Sequence, residues 1–177
     1  MIAIGRTVLR RLARRPMLEA GALALALLAP GRAEAQFGLE VGAKAPDATV
    51  ETLDGAAAKL GTAFAGRPAV IEFWATWCPN CRQLEPQLTA LQRQYAGKVA
   101  FVGVAVSVNQ TPERVKRYVA EHLQGFTHFF DRRGDAVGQY DVPATSYIVI
   151  LDRRGTIIYT GVGGDQQLAA AIEKALK

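Results

Sequence analysis

The strongest constraint on the fold of this 177-residue chain is a run of six residues, Ala69-Val70-Ile71-Glu72-Phe73-Trp74, apolar at every position but one. A strand with one solvated face alternates apolar and polar side chains. A nearly unbroken apolar run of this length therefore requires a strand covered on both faces. Such a strand belongs at the centre of a layered α/β domain. Just beyond it, Cys78 and Cys81 bracket Pro79 and Asn80, and they are the only two cysteines in the chain. A chain this long can bury its own core without crosslinks, so the pair needs a chemical explanation.

The flanking sequence supplies the other layers. Leu84, Leu88, Leu91 and Tyr95 recur at helical spacing and predict a helix that starts at the cysteines, with Pro86 inside it and expected to bend it. The apolar run Val99 to Val106 predicts a second strand, and Thr111-Pro112 predicts the cap and first turn of a helix carrying Val115, Val119 and Leu123. Upstream, Ala48 to Leu53 alternates into the Asp54-Gly55 turn as a short strand. Downstream come a short segment at Phe126 to Phe130, a small turn over Gly134 to Tyr140 and a strand at Tyr147 to Leu151. The Asp152 to Gly155 turn then leads to a hairpin partner at Thr156 to Thr160. Gly163-Gly164-Asp165 reads as the break and cap for a closing helix with Leu168, Ile172 and Leu176 inward. The expected fold class is α/β: a central mixed sheet with helices on both faces and a C-terminal β-hairpin plus helix.

The net charge of +5 lies mostly in the first 35 residues, which hold six arginines against Glu19 and Glu34. The remainder is close to neutral, and its Arg132-Arg133 and Arg153-Arg154 pairs stand beside aspartates and glycines, as solvated turn charges do. Nucleic acid is therefore not an expected partner. An arginine-rich start, the apolar run Ala20 to Ala29 and the small-residue pattern Ala33-Glu34-Ala35 have the architecture of a secretory signal cleaved after Ala35. The run is half of the roughly twenty residues that span a bilayer, so an uncleaved membrane anchor is the weaker reading. The expected organisation is a signal peptide over 1–35 and one domain over 36–177, periplasmic or otherwise exported.

A cysteine where a strand turns into a helix meets the free amides and positive dipole end of that helix, which favour its thiolate. Cys78 stands at such a junction, and Cys81 lies one helical turn on, within reach of a mixed disulfide formed at Cys78. Position thus assigns attack to Cys78 and resolution to Cys81. A structural staple closing so small a loop gains little. A haem attachment site needs His where Arg82 stands. A zinc site would have to recruit His122 and His128, which fall on a predicted helix and strand and read as packing or surface histidines. Glu72 is the one charge in the central run. Desolvation would raise its pKa, making it a candidate proton partner for Cys81; the competing reading is a carboxylate in a polar gap or an ion pair.

The stretch Val70-Ile-Glu-Phe-Trp-Ala-Thr-Trp-Cys-Pro-Asn-Cys81 closely resembles the active-site segment of thioredoxin-like proteins, specifically the exported TlpA/ResA-type thiol-disulfide oxidoreductases. Gly42, Ala45-Pro46-Asp47, Asp54-Gly55, Pro86 and the Asp152 to Gly155 turn also match. The resemblance covers about residues 40–177 and implies a thioredoxin-like fold, with a redox-active Cys78-Cys81 disulfide and no other cofactor. The implied substrate-docking residues are Trp77, Pro79, Thr145 and Ser146. The implied partners are thiols or disulfides of exported proteins, in cytochrome c maturation or metal-site assembly, and a membrane electron donor that recharges the dithiol. One departure stands out: counting back from Gly155 puts Ser146 where the family carries a cis-proline, with Pro143 three residues upstream. A cis bond before serine costs roughly 2.5–4 kcal/mol, so a trans or rearranged loop is expected. The alternative function is a Cu(I) metallochaperone using Cys78, Cys81 and a histidine, since soft thiolates favour that ion. A peroxiredoxin-type peroxidase fits poorly, because Ala75 stands where that family has Thr or Ser.

Overall fold

The computed structural model describes residues 38–177; the leader and the cleavage site expected after Ala35 lie outside the described residues. Seven strands form one mixed sheet: β1 (Thr49–Thr52), β2 (Ala57–Lys59), β3 (Ala69–Trp74), β4 (Ala100–Val106), β5 (Thr127–Asp131), β6 (Tyr147–Leu151) and β7 (Ile157–Val162), in the spatial order β2-β1-β5-β4-β3-β6-β7. β3 runs parallel to β4 on one side and antiparallel to β6 on the other, and all six of its residues are buried. The central strand expected from the apolar run is thus in place.

Helices α1 (Pro79–Gln94), α2 (Pro112–His122), α3 (Asp135–Gln139) and α4 (Leu168–Ala175) cover both faces. On one face Val70, Phe101, Ile148 and Ile150 pack against Leu84, Leu88 and Leu91 of α1 and Leu168 and Ile172 of α4. On the other, Ile71, Phe73, Val102, Val104 and Val149 pack against Ala136 and Tyr140 around α3. Two parallel crossovers, β3-α1-β4 and β4-α2-β5, step the same way along the sheet, which puts α1 and α2 on the same face. Among the described residues no helix is long and apolar enough to cross a membrane.

Two expectations fail locally. The segment after Gly134 is a short helix rather than a turn, because Asp131 Oδ2 accepts the Val137 N–H at 2.8 Å and Tyr140 is drawn into the core. Asp165 does not cap the closing helix: α4 begins at Leu168 behind Gln167, which makes no side-chain cap. Gln166 turns inward instead, only 4% exposed, and its amide is engaged elsewhere. The Thr111 cap of α2 is as expected, with Oγ1 accepting the Arg114 N–H at 3.3 Å.

Candidate active site

The site is built where β3 leaves the sheet. Ala75, Thr76 and Trp77 make the turn, closed by the Cys78 N–H donating to the Ala75 carbonyl at 3.1 Å. Proline lacks an N–H and is well placed in a first helical turn, so Pro79 starts α1 and holds Cys78 extended as its N-cap, at φ −80° and ψ 116°. The cap is a sulfur: Cys78 Sγ accepts the Cys81 N–H at 3.1 Å. No acidic residue occupies the first turn of α1. Cys78 and Cys81 are joined as a disulfide, with Cα atoms 5.3 Å apart, and each is only 2% exposed. The sequence-predicted neighbours Trp77 and Pro79 lie at the surface on either side of Cys78, and Trp77 Nε1 donates to the Val108 carbonyl at 2.8 Å.

Glu72 lies on the face of β3 that α1 covers, two residues from Val70 and two from Trp74, and is 3% exposed. Burial first, and the Glu85 carboxylate second, push its pKa from 4.5 up to about 8. Its Oε1 has no hydrogen-bond partner among the described residues, and the lysine or arginine partner of the competing reading is not there. Glu85, half-buried on α1, accepts the Tyr118 hydroxyl of α2, and the Tyr118 ring packs 5.6 Å from Trp74. Register aligns Glu72 with Gly103 and Gly103 with His128 across β3, β4 and β5. A Cβ on Gly103 would fall 2.4 Å from His128 Nδ1 and 2.9 Å from Trp74 Nε1, so glycine admits both rings over β4. Burial lowers the His128 pKa to about 4, and its Nε2 lies 3.1 Å from the Leu123 carbonyl.

The loop before β6 reaches the same edge of the sheet, because β6 runs antiparallel to β3 and Phe73 pairs with Tyr147. Ser146 directly precedes β6 in that register. No peptide bond among the described residues is cis; Ser146 instead adopts the left-handed conformation, φ 65°. It is fully buried, its N–H donating to the Phe73 carbonyl at 2.8 Å, while Thr145 is half-buried and Pro143 and Ala144 are exposed.

Sequence reasoning missed several residues here. Glu85 follows Cys81 by four residues on the same helix, a spacing that marks a shared face. Gln110 holds the loop before Cys78, its Oε1 accepting the Thr76 N–H at 2.9 Å and its Nε2 donating to the Val106 carbonyl at 2.5 Å. Gln166 holds Ser146. No periodicity marks either glutamine. As for metals, His122 is exposed beside Glu121 and His128 is buried behind Trp74. Among the described residues no three His, Cys, Asp or Glu side chains gather to hold an ion.

The family described as Redoxin matches residues 40–176. The chain is 33% identical over 129 residues to the thioredoxin-like protein YneN of Bacillus subtilis, covering 72% of this chain and 75% of that protein. It is 27% identical over 139 residues to the thiol-disulfide oxidoreductase ResA of Bacillus thuringiensis, covering 78% of each. A crystal structure of a protein assigned as the thiol:disulfide interchange protein DsbE of Chlorobium tepidum superposes with a TM-score of 0.69 at 28% identity, over 78% of this chain and 99% of that one. The mixed sheet and its helices are accordingly a thioredoxin-like fold.

Proposed function

The chain belongs to the redoxin family, as a thioredoxin-like thiol-disulfide oxidoreductase of the ResA/TlpA type, and on that premise we propose that it reduces disulfides of exported proteins through Cys78 and Cys81. The observation that carries the exchange chemistry is the sulfur cap. Cys78 Sγ already accepts an amide hydrogen at the positive end of a sixteen-residue helix with no acidic residue in its first turn. A thiolate formed there keeps the same donor.

In the forward direction the Cys78 thiolate attacks one sulfur of the substrate disulfide. A mixed disulfide forms, and one substrate thiolate leaves. The Cys81 thiol then gives up its proton and attacks Cys78 Sγ, which closes the Cys78-Cys81 disulfide and releases the second substrate thiolate. Two electrons pass to the substrate, whose sulfurs take up two protons. Glu72 serves as the proton acceptor in the second step only in its ionised form, a minority at neutral pH that grows as pH approaches about 8; there its pKa lies close to the roughly 8.5 of a free thiol, so the transfer is nearly balanced.

The reductase direction follows from the family resemblance; a dithiol becomes strongly oxidising when its reduced form is stabilised, so the helix end alone does not set the direction. The arginine-rich leader supports export, and the membrane electron donor and a role in cytochrome c maturation follow from the family resemblance. The reading is tested by trapping. Cys81→Ser is expected to accumulate mixed disulfides with exported proteins on nonreducing gels, and Cys78→Ser to accumulate none. Equal trapping by both variants, or by neither, contradicts the assigned roles.

A further inference from the structure

We infer that Gln166 is the positioning residue of the docking loop, holding Ser146 in place by hydrogen bonds where the resemblance leads one to expect a proline ring; the inference rests on the oxidoreductase reading above. Ser146 sits in a left-handed conformation that residues bearing a Cβ seldom adopt, and such a conformation persists only where the surroundings determine it. The surroundings here are complete. The Ser146 N–H donates to Phe73 at the end of β3, its Oγ accepts the Gly163 N–H at 3.1 Å, and its carbonyl accepts Gln166 Nε2 at 3.1 Å.

The second Nε2 hydrogen of Gln166 goes to the Gly163 carbonyl at 2.7 Å, and its Oε1 accepts the Tyr159 hydroxyl at 3.0 Å. Both donors and an acceptor of the amide are thus engaged. The Gln166 backbone carbonyl accepts Gln87 Nε2 of α1 at 3.0 Å, so one residue ties the loop before β6 to β7 and to the helix that carries Cys81. Gly161 makes the space: a Cβ there would fall 2.6 Å from Gln166 Oε1 and 2.3 Å from the Tyr159 hydroxyl. With every polar group of Ser146 turned inward, the main chain left to meet a substrate is that of the preceding residues, Pro143 to Thr145. A loosened lock therefore weakens capture of an extended polypeptide and leaves the sulfur chemistry alone.

The test compares wild type and Gln166→Ala in their reduced forms. Insulin serves as a polypeptide disulfide, and bis(2-hydroxyethyl) disulfide as one with no peptide backbone. Losing the buried side-chain hydrogen bond to Ser146, together with those to Gly163 and Tyr159, is expected to lower the rate constant with insulin about tenfold, with the small disulfide and the reduction potential little changed. Equal losses on both disulfides, or no loss on either, overturn the inference. Amide hydrogen exchange in the oxidised protein reads the lock without turnover. Exchange at Ser146 is expected to quicken at least about tenfold in Gln166→Ala while Ile71 stays protected, and unchanged exchange at Ser146 overturns the inference. If wild type fails to exchange with insulin but its Ser146 amide still depends on Gln166, the lock stands and the reductase reading falls. Gly161→Ala, which pushes the same amide from the other side, is expected to shift exchange at Ser146 in the same direction, and no shift counts against the lock.

Discussion

Glu72 is the residue through which pH acts on this protein most directly. Its carboxyl holds its proton up to about pH 8 in the folded chain and only to its ordinary 4.5 when exposed. Between those values the folded state binds the extra proton, so stability is greatest at the acid end and falls as pH rises through the window. From about pH 5 to about pH 8 the loss amounts to roughly 3 kcal/mol. Glu72→Gln keeps the neutral shape and removes the titration. Urea unfolding of the oxidised proteins is expected to show the decline in wild type and to show it flattened in Glu72→Gln; parallel declines would mean that Glu72 does not titrate in this range. Glu72 was legible in the sequence as the one charge in an apolar run. Gln166 was not, because a glutamine among glycines looks like a loop residue until the chain folds and supplies Ser146 and Tyr159 as its partners.

At the scale of elements, β4 carries the tightest constraint. Gly103 lies between Glu72 and His128, and an added methyl would meet the His128 ring and the Trp74 indole, neither of which is free to move. His128 is held by the Leu123 carbonyl and stacked on Phe126, and Trp74 is packed against Tyr118. Alanine for glycine ordinarily favours a strand, yet Gly103→Ala is expected to cost about 2 kcal/mol in chemical denaturation. The cost should shrink in the background of His128→Ala, and strictly additive effects would contradict the contact. β3, α1 and the cap of α2 were readable because burial periodicity and cap residues agree there. The short α3 and the late start of α4 were not, since Asp131 and Gln166 spend their side chains on tertiary bonds that no local pattern announces.

For the whole molecule, the site is an edge where segments far apart in sequence meet. The turn before Cys78 is held by Gln110, and the loop before β6 by Gln166. Of the non-glycine residues with positive φ among those described, Asp141 and Ser146 lie in the loop before β6, and Asn109 lies beside Gln110 in the loop from β4 to α2. The fold class and the position of the cysteine pair were legible because they depend on the central strand and one helix. The walls of the site depend on sheet order, and only the three-dimensional structure brings them together. Function at this scale reduces to one equilibrium, the Cys78-Cys81 disulfide against its dithiol, poised in part by the helix end that caps Cys78. Its reduction potential, measured by equilibrating the protein in thiol-disulfide buffers, is the most direct test. A reductase is expected to lie below about −200 mV, towards thioredoxin, and a value near −120 mV, that of a strong oxidant such as DsbA, would contradict the assignment.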